Sequence, residues 1–196
     1  GGGMYLNYSS PLLRDVTFSN NTVYDLGGAM FLWQSSPTLT GVTFSGNTAG
    51  VYGGGMRLWA SNPTLTNSIL WGNSPQTLFF IGSSTINISY SDIQGGWEGE
   101  GNIDADPLFC DADNGDFTVR SDSPVLGTGQ DGADMGAYGV GCEPIYGCTH
   151  PNATNYDDTA NVDDGSCIDY PDNGNYSLSF DGDGDYVIIE DSDILS

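Results

Sequence analysis

Apolar residues near the start of the chain fall at alternate positions in short runs. Met4 and Leu6 are followed by Met30 and Leu32 and then by Met56 and Leu58, while the column between them changes from Tyr5 to Phe31 to Arg57. Constant apolar residues two apart, with a tolerant position between, predict a strand that buries one face and exposes the other. A second set recurs further along each copy: Leu13, Leu39 and Leu65; Val16, Val42 and Ser68; Phe18, Phe44 and Leu70, with Thr17, Thr43 and Ile69 interposed. Each copy therefore holds at least two short strands. Gly1, Gly27 and Gly53 each open a GG[GA]M block, so the spacing is 26 residues with no insertion. A fixed period of this size marks a solenoid, because one coil of a few strands cannot bury its apolar face alone.

The punctuation agrees. Pro11, Pro37 and Pro63 fall between strands, where a missing N–H does no harm to a ladder. The glycine block and the column Asp15, Gly41, Asn67 supply residues that tolerate positive φ at tight corners. The predicted fold is all-β, a right-handed parallel β-helix of about four to five coils. An antiparallel sandwich also alternates, but it has no need for identities at one interval; stacked coils do, because like side chains sit about 4.8 Å apart as ladders. Asn21, Asn47 and Asn73 fit such an internal ladder at a corner. Beyond Asn73 the register loosens. Residues 75–84 read as an irregular lead-in, after which Ile86, Ile88 and Ile93 resume the pattern as a fourth, atypical coil.

Charge separates the chain into two halves. Residues 1–74 carry Arg14 and Arg57 against Asp15 and Asp25, whereas residues 75–196 hold the other 24 acids against Arg120, which accounts for the net charge of −23. With no lysine and three arginines, a basic face for phosphate is lacking, which argues against nucleic acid and against an anionic membrane. No run approaches the length of a membrane span. The chain starts inside a coil without an initiator Met, as expected of a piece of a longer protein.

Residues 104–142 contain DPLF, NGD before an aromatic, SP, and DMGAY. This succession resembles the final coil of secreted bacterial right-handed β-helix repeat proteins, and the resemblance implies fold more than activity. Domain boundaries are expected at 1–142 for the β-helix with its closing segment, 143–170 for a cysteine-flanked acidic module, and 171–196 for a tail. Four cysteines allow three pairings. Cys110 and Cys142 bracket the closing segment and Cys148 and Cys167 bracket the module, so 110–142 and 148–167 are expected, with an extracellular or cell-surface location. Zinc is disfavoured by the long spacings, and the single His150 reads as a loop residue.

The module, GCTHPNATNYDDTANVDDGSC, resembles a short motif of secreted surface proteins of aquatic bacteria, departing from it at His150 and Asp158. Asp157, Asn161, Asp163 and Asp164 could supply oxygens to Ca²⁺; the alternative is that a disulfide-closed loop carries polar residues to stay dissolved. The tail, YSLSFDGDGDYVII, resembles the first strands of a concanavalin A or laminin G-like sandwich, and reads as a hairpin or a strand-donating segment. Asp181, Asp183 and Asp185 begin like an EF-hand loop, but Tyr186 and Ser192 stand where Gly and Glu are required.

Candidate chemistry is sparse. Tyr5, Phe31, Arg57 and Asn7, Trp33, Trp59 alternate out of the buried set, which would place an aromatic strip on the outer face for contact with a carbohydrate or a protein partner, unless another segment covers it. N-glycosylation triplets occur at Asn7, Asn20, Asn87, Asn152 and Asn175. The expected function is a non-catalytic extracellular structural or adhesive protein, a surface stalk or a filament subunit that associates end to end through uncapped coils. The alternatives are a carbohydrate-binding module and a polysaccharide lyase or hydrolase. A glycan-cleaving site would need a base and cation or two spaced carboxylates on one face. Before the closing segment the chain offers Arg14, Arg57, Asp15, Asp25 and Asp92, with Glu98 and Glu100 following, and none repeats as a carboxylate column.

Overall fold

The computed structural model describes residues 1–168. The tail expected over 171–196, with Asn175, lies outside the described residues. The chain divides into two units, Gly1–Pro144 and Ile145–Ser196.

The first unit is built on a parallel β-helix. Strands Met4–Asn7, Met30–Trp33, Met56–Trp59 and Leu78–Ile81 form a first sheet. Leu12–Arg14, Thr38–Thr40, Thr64–Thr66 and Asn87–Ser89 form a second, and Thr17–Ser19, Thr43–Ser45, Ile69–Trp71 and Asp92–Ile93 a third. Every pairing within these sheets is parallel, and the inward positions place like residues over one another, Met30 on Met56 and Leu39 on Leu65 among them. Met30, Leu32, Leu39, Phe44, Met56, Leu58, Leu65 and Leu70 are fully enclosed in one core. Burying each such side chain contributes about 1.5–3 kcal/mol, and the contribution exists only because a neighbouring coil lies on each side.

The glycine block follows from two different constraints. Gly27 and Gly53 adopt φ +70°, the left-handed region that other residues avoid. Gly28 has no such angle, but a Cβ there would stand 2.2 Å from the Gly54 carbonyl oxygen of the next coil, so the backbones approach too closely for any side chain. Of the third positions Gly3, Ala29 and Gly55, the second carries a methyl group, whereas a Cβ at Gly55 would stand 2.6 Å from the Thr77 carbonyl oxygen. The predicted corners Asp15, Gly41 and Asn67 take φ 51°, 62° and 52°.

Two expectations require correction. The lead-in over 75–84 is not irregular: Leu78–Ile81 is the fourth strand of the first sheet, pairing Leu78 with Met56 and Phe80 with Leu58. The chain is shortened between Trp71 and Leu78, so the offset falls below 26 and a fixed-period reading loses it; by Ser84 the spacing is 23. Trp97 lies against Phe80, with ring centroids 6.0 Å apart, at the end of the core.

The closing segment is also not a last coil stacked on the end. Phe109–Asp111, Asp116–Arg120 and Val140–Cys142 form a small mixed sheet. The chain around it packs along the outer face of the third sheet, where Ile69 joins Val119, Val125 and Met135 in a second apolar cluster. The amide of Gly136 donates to the Asn67 carbonyl, and that of Ala137 to Thr43 Oγ1 at 3.0 Å. Thr43 and Ile69, at positions that alternate outward, are therefore both buried. The expected disulfide Cys110–Cys142 ties the first strand of this sheet to the last.

In the second unit, Tyr146–Gly147 pairs in parallel with Val162–Asp163, and Cys148–Cys167 closes the loop. Each bridge contributes about 3–4 kcal/mol by restricting the unfolded chain.

Candidate functional site

The outer face of the first sheet collects the residues that the alternation sets apart. Parallel register stacks Tyr5, Phe31, Arg57 and Phe79 in one rank and Asn7, Trp33, Trp59 and Ile81 in the next. Tyr5 and Phe31 have ring centroids 5.2 Å apart, and Phe31 meets Trp33 edge to face at 6.3 Å. Trp33 and Trp59 lie nearly parallel, 4.6 Å between centroids, which is close to the strand spacing. Each indole thus covers a face of the other and turns its edge outward.

All five residues expected at this surface, Tyr5, Phe31, Trp33, Arg57 and Trp59, are brought together. Two more belong with them. Phe79 continues the first rank, and Tyr52 stacks on it at 4.1 Å from the neighbouring corner. Phe79 was hidden by the shortened fourth coil. Tyr52 carries no alternation signal, because it precedes the glycine block.

Arg57 sits inside this aromatic surface. Only 8% of it is exposed, and its guanidinium carbon lies 4.8 Å from the Phe31 centroid and 5.7 Å from that of Trp59. Such contacts favour a cation over the ring faces. Nε is enclosed without a hydrogen-bond partner, and no ion pair joins Arg57 to another described residue. Burial pushes the guanidinium down from its usual value, opposed by the attraction of Asp25. Its starting value is so high that it remains charged.

The columns behind the face are consumed by structure. Asn47 Nδ2 donates to Asn73 Oδ1 at 2.8 Å and to the Phe18 carbonyl at 2.8 Å, while its Oδ1 accepts from Asn21. Ser61 Oγ accepts the Ser35 amide at 3.0 Å and donates to the Trp59 carbonyl. This serine ladder, which continues to Ser84, escaped the sequence reading although Ser9, Ser35 and Ser61 share the 26-residue interval.

The carboxylates considered for catalysis are scattered. Asp15 occupies the corner after the second sheet's first strand, and Asp25 precedes Leu26, which bridges Tyr52. Asp92 lies on the outward side of the third sheet, where the closing segment covers it completely. Its Oδ1 accepts the Ala105 amide, and Oδ2 has no partner. Burial, with Asp104 and Asp106 adding repulsion, pushes its carboxyl up to about 7.

In the module, the expected calcium donors support their own turns. Asp157 accepts from the Thr159 amide and hydroxyl, which holds its carboxyl below the usual range, and Asp164 is lowered in the same way by Ser166. Asp163 accepts the Gly165 amide and Asn161 the Ile145 amide. Among the described residues no group of three or more His, Cys, Asp or Glu side chains is placed to hold a metal ion. Of the glycosylation triplets, Asn7, Asn20, Asn87 and Asn152 are exposed. A separate concavity of about 370 Å³, lined by Pro75, Thr77, Leu78, Ile93 and Trp97 among others, lies at the last coil.

A family model described as right handed beta helix region matches residues 1–119. No curated protein matches the chain, and no solved structure does. The disulfides suggest an oxidising, extracellular-type environment. No helix among the described residues is long and apolar enough to cross a membrane.

Proposed function

The chain belongs to the right-handed β-helix family, and from that premise we propose a non-catalytic extracellular scaffold that adheres to its partner through the outer face of the first sheet. The observation that carries this reading is the set of rings from Tyr5 to Phe79, which stack on one another and on Arg57 and of which Tyr5 and Tyr52 are exposed and Phe31, Trp33, Trp59 and Phe79 partly so. Aromatic residues and arginine in such a patch are what contact surfaces concentrate. The placement of three candidate carboxylates supports a role without turnover: Asp15 and Asp25 stand at different corners, and Asp92 is out of reach of a polymer.

Beads carrying the full chain, set on immobilised polysaccharides and proteins, provide the test. The reading predicts retention that the Trp33→Ala/Trp59→Ala double variant loses, with no new reducing ends or unsaturated product in the ligand. Accumulating product, or retention indifferent to both substitutions, overturns it.

A further inference from the structure

The first sheet ends differently from the other two. In each coil the amide that opens its strand donates forward to the next coil, Met4 to the Ala29 carbonyl, Met30 to Gly55 and Met56 to Thr77, and so does the amide just past the strand, Tyr8 to Trp33, Gln34 to Trp59 and Ala60 to Ile81. Leu78 stands over Met56 and Ile81 over Trp59, so the amides of Leu78 and of Gly82 point to where a fifth strand would lie, and alternation sends that of Phe80 the same way. None of the three donates to a described residue. The second and third sheets, by contrast, are closed at this end by residues 99–103: the Ser91 carbonyl accepts the Ile103 amide, the Ile93 amide donates to the Ile103 carbonyl, and Asn102 Nδ2 donates to the Ile88 carbonyl at 3.0 Å. The chain then leaves for the outer face of the third sheet, and at the end of the first sheet Trp97 lies on Phe80.

Leu78–Ile81, LFFI, is thus an apolar edge strand with neither the charge nor the proline that blunts such edges, and its four side chains are half-buried. Beside its start opens the concavity of about 370 Å³, lined by Leu78, Ile93 and Trp97 and by the amides of Gln76 and Gln94. Inward positions of an added strand would stack on Leu78 and Phe80, as these stack on Met56 and Leu58. The rim is acidic: Asp104 Oδ1 accepts the Gly95 amide at 3.1 Å, Glu98 follows Trp97, and Glu98, Asp104 and Asp106 are all exposed. We propose that this edge takes up an extended segment of another protein, apolar at alternate positions and carrying lysine or arginine at its ends, which completes the first sheet through main-chain hydrogen bonds and sets one apolar side chain in the concavity. Charge opposes the nearer occupants. Residues 145–196 contain neither lysine nor arginine, and a second copy brings the same net charge of −23. The edge is distinct from the ring faces of Trp33 and Trp59, so its occupation does not depend on the contact-surface reading above.

Fluorescence anisotropy of labelled peptides titrated with the full chain tests the proposal. The probe alternates valine and threonine between terminal lysines; a second peptide replaces the lysines with glutamates, and a third keeps the lysines but has its backbone amides methylated. The lysine peptide should bind, and the other two should bind about tenfold or more weakly, the one for its charge and the other because it cannot complete the ladder. Trp97→Ala should weaken the lysine peptide severalfold, whereas Trp33→Ala/Trp59→Ala should bind it like the parent; melting curves establish that each variant is folded. In hydrogen exchange, the amides of Leu78, Phe80 and Gly82 should exchange fast in the free chain and slow down when the lysine peptide is added. Binding by none of the peptides, a glutamate or methylated peptide that binds like the lysine one, or a folded Trp97→Ala variant that binds like the parent overturns the proposal. Protection of the three amides in the free chain overturns it as well: protection independent of concentration assigns the edge to the chain's own residues, and protection that grows with concentration assigns it to a second copy.

Discussion

Removing the side chain of Asn47 should be among the most damaging changes in the protein that alter neither charge nor the apolar core. Asn47 is completely enclosed at a corner of the second coil. Its Nδ2 donates to the Phe18 carbonyl, the Ser45 carbonyl and Asn73 Oδ1, and its Oδ1 accepts from both the amide and the side chain of Asn21. In Asn47→Ala the amide of Asn21 and the carbonyl of Phe18 lose buried partners at once. Each enclosed group left unsatisfied costs about 1–3 kcal/mol, so the total is on the order of 4 kcal/mol. Asn21, at the half-exposed end of the ladder, receives water in place of its lost contacts, and Asn21→Ala should cost about 1 kcal/mol. For a unit of this size 1 kcal/mol moves the melting temperature by roughly 2–4 °C, so differential scanning calorimetry should separate the two variants by about 10 °C. Equal melting temperatures for the two variants would refute the claim that the asparagine column is an internal ladder.

Two further outcomes follow from the same geometry. Gly28→Ala should abolish stable folding of the first coils, because its Cβ would meet the Gly54 oxygen at 2.2 Å, whereas Ala29→Gly, at the next position of the same block, should cost only about 1 kcal/mol; circular dichroism melts decide. Asp92 has a folded-state pKa of about 7 against an ordinary 3.8, so it favours the folded state when protonated. Its contribution is intact below pH 4 and is lost as pH rises to 7, a fall of about 1.4 kcal/mol per pH unit and on the order of 4 kcal/mol in all. Urea titrations from pH 4 to pH 8 should show that slope flattened in Asp92→Asn; an unchanged slope would assign the pH dependence to other groups.

The solenoid was legible because its coils are copies. Met over Met, Leu over Leu and Asn over Asn can be read from spacing alone, and alternation then says which side faces inward. That logic fails where the copies stop being equal. Dropping residues between Trp71 and Leu78 displaced a whole strand from the expected interval and took Phe79 with it. The closing segment posed a different difficulty: Thr43 and Ile69 alternate outward as predicted, yet a distant stretch around Met135 covers them. A strand's own pattern reports which side it turns, not what comes to lie on it. Arg57 was legible as a position but not as a buried charge, because the Phe31 and Trp59 rings that lie against its guanidinium do so only in the folded stack.

The register of the stack can be read most directly by cysteine cross-linking on the outward side of the second sheet. Thr38 and Thr64 are partners on adjacent parallel strands, and both reach solvent. Partners on such strands stand about 4.8 Å apart, within the span of a disulfide. Under mild oxidation Thr38→Cys/Thr64→Cys should close a new bridge, detected by mass spectrometry of the digested chain, while Thr38→Cys/Thr66→Cys, displaced by two residues, should not. Bridging in the displaced pair in preference to the aligned one would contradict the 26-residue stack.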